Sequence, residues 1–337
     1  MRRTFYTLLT ILIIGLGSLS LKAQDIHYTL FDHSYLTTNP ALTGSFNGSF
    51  RIGGILRDQW FSILPNEFVT PSFYLDAPII RGFRKQDWVG VGITFYNDEV
   101  GIGSLKSTGF YGSVAYHFSL DDDNKSVFTI GAQGGSVNRS VDATLLIFED
   151  NLLGGGGVSQ DVGNIDNTSY VDISAGALFK SLLNDETKMT IGFAVNHIGN
   201  PSYNLSSADE NTLPMLATLH GGLAFQLNDT WDLNTGIYAQ RISGATTVSG
   251  QGVLGYRFDE EREITLRGGL GYRAGDAFQV ILGADIKSLR LAAAYDLTTS
   301  GLSSASGNQG AFEVAVSYIG KIFKKPEVKP TVLCPDL

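Results

Sequence analysis

The residues with the strongest chemical potential in this chain are five histidines, His27, His33, His117, His197 and His220, and a single cysteine, Cys334. A zinc site needs three or four nitrogen, sulfur or carboxylate ligands converging on one point. No His-Glu-x-x-His pair occurs, and no second cysteine completes a ligand set. Asn196-His197 could supply the base of a serine hydrolase, but Ile198-Gly199-Asn200 follows, with no serine on that face of the strand. The Gly-x-Ser-x-Gly turn that presents a nucleophilic serine is missing as well. Gly269-Leu-Gly271-Tyr-Arg-Ala274 matches the dinucleotide pattern in letters only, because it lies within an alternating segment and opens no helix. The run Gly154 to Gly157 is not followed by the Lys-Ser/Thr of a phosphate loop. A lone cysteine excludes an intrachain disulfide, and Cys334 reads as a tail residue or as a contact point with a partner. The chain is therefore expected to be non-enzymatic, with no metal and no cofactor.

Electrostatics offer more. Arg257, Arg267, Arg273 and Arg290 share one face of their segments with Asp285, Asp296 and Glu313. The opposite faces are apolar: Leu289, Leu291, Ala293, Tyr295 and Leu297 alternate with Arg290, Ala292, Ala294 and Asp296. A period of two with charge on the enclosed side and grease on the open side inverts the pattern of a soluble sheet. It suits a β-barrel in lipid, where only a closed sheet pairs every backbone group. The charged residues are expected to form a ladder in the lumen, either closing and stiffening the barrel or lining it for a solute or an inserted peptide.

Period-two segments separated by turn residues recur over 50–319 and predict an all-β, transmembrane antiparallel barrel of the outer-membrane type with about 14 strands. The expected strands are Phe50–Trp60, Thr70–Ala77, Trp88–Asn97, Leu105–Phe118, Ser126–Ser136, Ser169–Lys180 and Lys188–His197. They continue with Met215–Leu227, Trp231–Ile242, Ala245–Phe258, Ile264–Arg273, Ala277–Ile286, Leu289–Leu297 and Gly310–Ile319. Turns such as Asn228-Asp229 and Lys287-Ser288 are short on one side, whereas the stretches 137–168 and 198–214 on the other are long. Val89, Val91, Ile93 and Phe95 should face lipid, with Gly90, Gly92 and Thr94 inside. Lumen glycines would permit bends and keep the lumen open. Tyr96, Tyr111, Tyr256, Tyr272, Tyr295 and Tyr318 fall where aromatic girdles belong.

The flanks have other characters. Arg2 and Arg3, the apolar run Leu8 to Leu16 and Lys22-Ala23-Gln24 read as a signal peptide over 1–23. Nothing else approaches the roughly 18 apolar residues of a membrane helix. Losing Arg2, Arg3 and Lys22 with that leader takes the formal charge from −9 to −12, which argues against a nucleic-acid partner. An arm over 24–49 and a proline-bearing tail over 320–337 are both expected on the periplasmic side of the outer membrane.

Both ends of the expected mature chain resemble one family. Tyr35-Leu-Thr-Thr-Asn39-Pro40-Ala41-Leu42-Thr43-Gly44-Ser45 and Arg57-Asp-Gln59-Trp60 are similar to the PorP/SprF outer-membrane proteins of type IX secretion and gliding in Bacteroidota. Asn97-Asp98-Glu99-Val100-Gly101, Gly271-Tyr272-Arg273, Tyr295-Asp296-Leu297, Ser300-Gly301-Leu302, Gly310–Tyr318 and Cys334-Pro335 extend the resemblance. It implies a barrel working with secretion machinery subunits and a secreted cell-surface protein, such as a large adhesin or its C-terminal targeting domain. The expected partner contacts are Tyr35, Asn39 and Pro40 on the arm, and Phe148 in the cluster Leu145-Leu-Ile-Phe148 of a long loop. An apolar patch of that kind either folds into the barrel mouth or is covered by a partner. The competing expectation is a passive channel for small solutes.

Overall fold

The structure, a computed structural model, describes residues 25–61, 63, 68–81, 86–101, 103–146, 167–205 and 211–322. The expected leader, Phe148 and Cys334 lie outside them. Fourteen antiparallel strands form one closed barrel. They are β1 (Phe50–Gln59), β2 (Phe68–Arg81), β3 (Trp88–Val100), β4 (Leu105–Ser119), β5 (Ser126–Ser140), β6 (Thr168–Asn184) and β7 (Thr187–Asn196). The second half holds β8 (Leu216–Gln226), β9 (Trp231–Ile242), β10 (Ala245–Asp259), β11 (Ile264–Arg273), β12 (Ala277–Ile286), β13 (Leu289–Thr298) and β14 (Gln309–Gly320). Each strand pairs with its sequence neighbours, and β1 closes the ring on β14, from Phe50 opposite Gly320 to Gln59 opposite Ala311. Closure leaves no unpaired edge, as a sheet in hydrocarbon requires.

The two rims differ. One carries the short connections 185–186, 227–230, 260–263 and 287–288; here β1 begins and β14 ends. The opposite rim carries the long ones, 141–167, 197–215 and 299–308. Ser243-Gly244 is a tight exception on the long-loop rim. Both residues have positive φ (46° and 87°), as a two-residue hairpin matched to strand twist requires, and glycine at the second place removes the steric cost.

Strand alternation sorts the faces as expected. Ile93, Phe95, Phe110, Ile191, Phe193 and Leu282 lie exposed on the outer surface, while Thr94, Ala115 and Ala194 are buried behind them. Among the described residues no helix is long and apolar enough to cross a membrane; the strands do the crossing. Tyr256, Tyr272 and Tyr318 are exposed on the outer face. The girdle reading fails for Tyr96 and Tyr111. Phe110 takes the outward place on β4, which turns Tyr111 inward, where it stacks on Tyr96 at 5.9 Å between ring centroids.

The arm follows no strand alternation. Residues 25–49 fold into the lumen. Leu30, Leu36 and Ala41 are almost wholly buried. Tyr28 and Leu30 pack with Ile55, Val253, Ile281, Ala292, Ala294 and Ala315 of the wall. Each such leucine contributes about 1.5–3 kcal/mol on burial. A helical turn at Tyr35–Thr38 leads to a 3₁₀ turn at Pro40–Leu42. Asn39 caps the latter, its Oδ1 accepting the Ala41 N–H at 2.8 Å, and proline occupies the first turn position, where its missing N–H costs nothing.

Lumen glycines make room for this plug instead of holding the lumen open. A Cβ on Gly131 would collide with the backbone of Ala41, and one on Gly90 with the carbonyl of Thr43.

Candidate functional site

Four sets of polar contacts fasten the arm to the wall. Nearest the long-loop rim, β13 and β14 place Asp296 and Glu313 inward because Leu297, Phe312 and Val314 take the outer positions. Glu313 accepts two successive arm N–H groups, from Thr29 at 2.7 Å and Leu30 at 2.8 Å, and pairs with Arg57. Asp296 accepts the Thr29 hydroxyl at 2.7 Å and Arg273 at 2.6 Å, and Arg273 also holds Asp276 at 2.5 Å. Gln279 donates to the Thr29 oxygen at 3.2 Å. Two guanidiniums and three carboxylates thus form a dense, largely buried network around one threonine.

A second set lies toward the short-turn rim. Arg267 bridges Asp285 at 2.7 Å and Asp232 at 2.8 Å, while Arg290 reaches Asp285 at 3.2 Å and the Tyr35 hydroxyl at 3.2 Å. The expected lumen ladder is therefore two clusters, and Arg257 belongs to neither. The β10–β11 register slips between Arg257 and Asp259, and the Arg257 side chain lies exposed at the rim, donating to the Asp229 carbonyl at 2.6 Å.

The arm residues expected to meet a partner are engaged with the barrel itself. The Arg51 guanidinium lies 3.8 Å from the Tyr35 ring centroid and grips Asp76 with two bonds, 2.9 and 2.7 Å; Asp76 also accepts the Gly44 N–H at 2.7 Å. The Asn39 amide nitrogen donates to the Ala177 carbonyl at 3.0 Å and faces His220 Nε2 at 3.0 Å. Pro40 is buried beside it. Sequence reasoning missed Thr29, Arg51 and Asp76 as members of this seam, and took Arg57 only as part of a motif. Strand parity alone carries a signal for the two arginines, since Arg51, Gly53, Ile55 and Arg57 share the inner face of β1. Nothing local marks Thr29.

At the long-loop rim His197 follows β7 and clamps the start of the arm. Its Nδ1 lies 3.0 Å from Asp172 and its Nε2 3.0 Å from Asp25. Burial opposes the imidazolium, but hydrogen bonds to the two carboxylates overcome it and push the pKa up to about 10. Burial likewise opposes the Asp25 carboxylate, and the His197 bond outweighs it, so the carboxyl stays below its ordinary value. With both ring nitrogens occupied, His197 has no free nitrogen to act as a catalytic base. Among the described residues no group of histidine, cysteine and carboxylate side chains could hold a metal ion.

Below the plug, a vestibule of about 1100 Å³ opens at the short-turn rim, reaching Gln86 and Asn124 in the turns and floored by Phe31, Tyr35 and Leu42 of the arm.

A closed 14-strand barrel with an apolar outer face and a polar, plugged lumen defines an outer-membrane β-barrel. Similar solved structures agree on that class. The toluene transporter TodX of Pseudomonas putida has a TM-score of 0.53 at 14% identity, over 86% of this chain and 93% of that one. The toluene transporter TbuX of Ralstonia pickettii scores 0.50 at 14% identity, over 86% and 94%. The CymD monoaromatic hydrocarbon channel scores 0.51 at 13% identity, over 92% and 97%. At such identities the likeness concerns the fold alone. No curated protein matches the chain. The family described as type IX secretion system membrane protein PorP/SprF matches residues 20–318, and the chain belongs to it. It is a secretion-related outer-membrane barrel associated with the type IX machinery.

Proposed function

We propose that this barrel binds or anchors a secreted cell-surface protein for the type IX machinery, and that it is not a free pore. The observation that carries the reading is the arm folded through the lumen, with its contacts spent on the wall. A solute channel would need a continuous water path, and the arm lies across it between the two charged clusters. The surfaces left for a partner are the long-loop rim, the exposed Leu145 in its largest loop, and the vestibule. We place the short-turn rim in the periplasm, consistent with the usual asymmetry of such barrels, so that secretion machinery subunits meet the vestibule side. In that orientation β1 starts and β14 ends on the periplasmic side, Asp25 lies at the outer mouth, and 1–23 is a leader removed before assembly.

Affinity purification of a tagged copy from detergent-solubilised outer membrane, followed by mass spectrometry, tests the reading. A secreted surface protein that co-purifies, with or without periplasmic subunits, supports it. Recovery of the barrel alone after mild crosslinking counts against it. The solute-channel reading takes its support only from the likeness to hydrocarbon channels, which is a likeness of fold.

A further inference from the structure

The vestibule wall built by β6, β7 and β8 carries two lysines without carboxylate partners among the described residues. Register places three rungs side by side on its inner face: Leu182, Lys188 and Ala224; then Lys180, Thr190 and Gly222; then Leu178, Gly192 and His220. Neighbouring strands lie about 4.8 Å apart and rungs about 6.8 Å apart, so both ammonium groups, the threonine hydroxyl and the imidazole converge on one patch.

Among the described residues neither lysine has a carboxylate within 4.0 Å. Lys180 donates a single hydrogen bond, to the Ser45 carbonyl at 2.9 Å, and has two more N–H groups to offer. The His220 proton is placed by a chain of contacts. Asn39 Oδ1 takes the Ala41 N–H, which turns Nδ2 toward His220 Nε2. Nε2 is then the acceptor, and Nδ1 carries the hydrogen with no partner among the described residues. Four carboxylates line the vestibule and none lies within 4.0 Å of either lysine: Asp285 is held by Arg267 and Arg290, Asp87 accepts from the Tyr116 hydroxyl and the Ser119 N–H, Asp123 lies 3.4 Å from Lys125, and Asp32 lies 4.0 Å from His33. The patch is thus a cationic, donor-rich wall in a cavity of about 1100 Å³, just above the roughly 300–1,000 Å³ of clefts that enclose small ligands. Phe31, Leu42 and Leu182 give the cavity apolar wall, while Asn234 and Gln251 add amides able to bond a peptide backbone.

We propose that this wall binds the C-terminal α-carboxylate of an extended peptide that enters from the short-turn rim. The proposal rests on the partner-binding reading and names where and how a polypeptide is held.

The test uses the full chain in detergent micelles and a pool of random hexapeptides, made once with free C-terminal carboxylates and once as amides. Retention is read by mass spectrometry. One charge-assisted hydrogen bond predicts that acids are retained about tenfold over amides. That preference is lost in Lys180→Met/Lys188→Met. Lys188→Gln alters an exposed side chain with no ion pair to lose, so its fold is secure, and it lowers the preference severalfold. Equal retention of acids and amides, or a preference unchanged in Lys188→Gln, overturns the proposal. Displacement of the acids by inorganic phosphate at lower concentration than by acetate overturns it in favour of a phosphate site. Co-purification from cells separates the two readings. If acids are retained and no secreted protein co-purifies, the site stands and the partner reading falls; if a partner co-purifies undiminished with Lys188→Gln while acids show no preference, the reverse holds.

Discussion

The Glu313 carboxylate accepts the backbone N–H of Thr29 at 2.7 Å, joining the last strand to the arm across 284 positions of sequence. A backbone contact of this kind reads the arm's path rather than its side chain. It fixes the register of the plug, and the adjacent Leu30 N–H and the Arg57 guanidinium use the remaining lone pairs.

Glu313→Gln keeps the shape and withdraws the charge. Arg57 is then left with Asp296 at 3.4 Å as its remaining carboxylate, and one of the two arm N–H groups loses its acceptor. Breaking a buried pair from one side costs about 3–5 kcal/mol. The expected result is a lower urea midpoint for barrel unfolding, with the arm cleaved by protease faster than in the wild type. A midpoint unchanged within error would show that the seam contributes nothing.

Arg51 and Asp76 allow the same logic to be tested from both sides. Asp76→Asn leaves a buried guanidinium without its two-bond partner and frees the Gly44 N–H, for a loss of about 3–5 kcal/mol. The double change Arg51→Met/Asp76→Leu removes both charges and is expected to recover much of that loss, because a well-packed apolar pair often matches a buried ion pair. Urea midpoints of Arg51→Met, Asp76→Leu and the double change give the coupling directly.

The latch at His197 has a definite pH window. Its folded-state pKa of about 10 lies above the ordinary 6.5, so its contribution is complete below 6.5 and is lost as pH rises through about 10. Asp25 lies below its ordinary 3.8; its contribution is complete above 3.8 and is lost as pH falls through the lowered value. Asp172 faces the imidazole from β6, and Arg139 on β5 supports the Asp25 charge. In a Cys334→Ser background, a nitroxide on Ile26→Cys should be immobile at neutral pH and mobile in strong acid or above about pH 10. In His197→Gln it should be mobile at neutral pH as well. A label equally mobile in wild type and variant at neutral pH would dispose of the latch.

Much of the barrel was legible because its rule is local. Alternation decides which face each strand residue takes, and β9, β11 and β12 have the boundaries that periodicity assigns them. The same rule put Arg267, Arg290 and Asp285 on one face, though which carboxylate each arginine meets is visible only in the structure. The arm obeys no such rule. Leu30 and Leu36 look like loop residues in sequence because the surfaces that bury them come from strands that are not their chain neighbours, with Val253, Ile281 and Ala292 in the cluster of Leu30 and Gly92 beside Leu36. Tyr35 and Asn39 stood out as shaped positions, but the sequence does not say whether such a residue meets another protein or its own wall. Arg257 shows the limit of parity: it keeps the inward register, opposite Thr265, but lies so near the end of β10 that its side chain is exposed at the rim.

The plug itself makes the last prediction. The fourteen strands pair only with one another, so deleting residues 25–47 leaves barrel closure intact, and Arg57, Arg273, Asp296 and Glu313 still hold each other as ion pairs. Barrels of about 8 strands are filled by their own side chains and those of 16 or more leave an aqueous channel; 14 strands stand near the wide end. The wild-type protein in a planar bilayer is expected to show no steady conductance, and the deletion to show a persistent open state. Gly131→Leu reaches the same end by another route, since any side chain there occupies the place of the Ala41 backbone and drives the arm from its seat. Wild type and deletion conducting alike would mean that the arm does not seal the lumen, and the solute-channel reading would then take precedence.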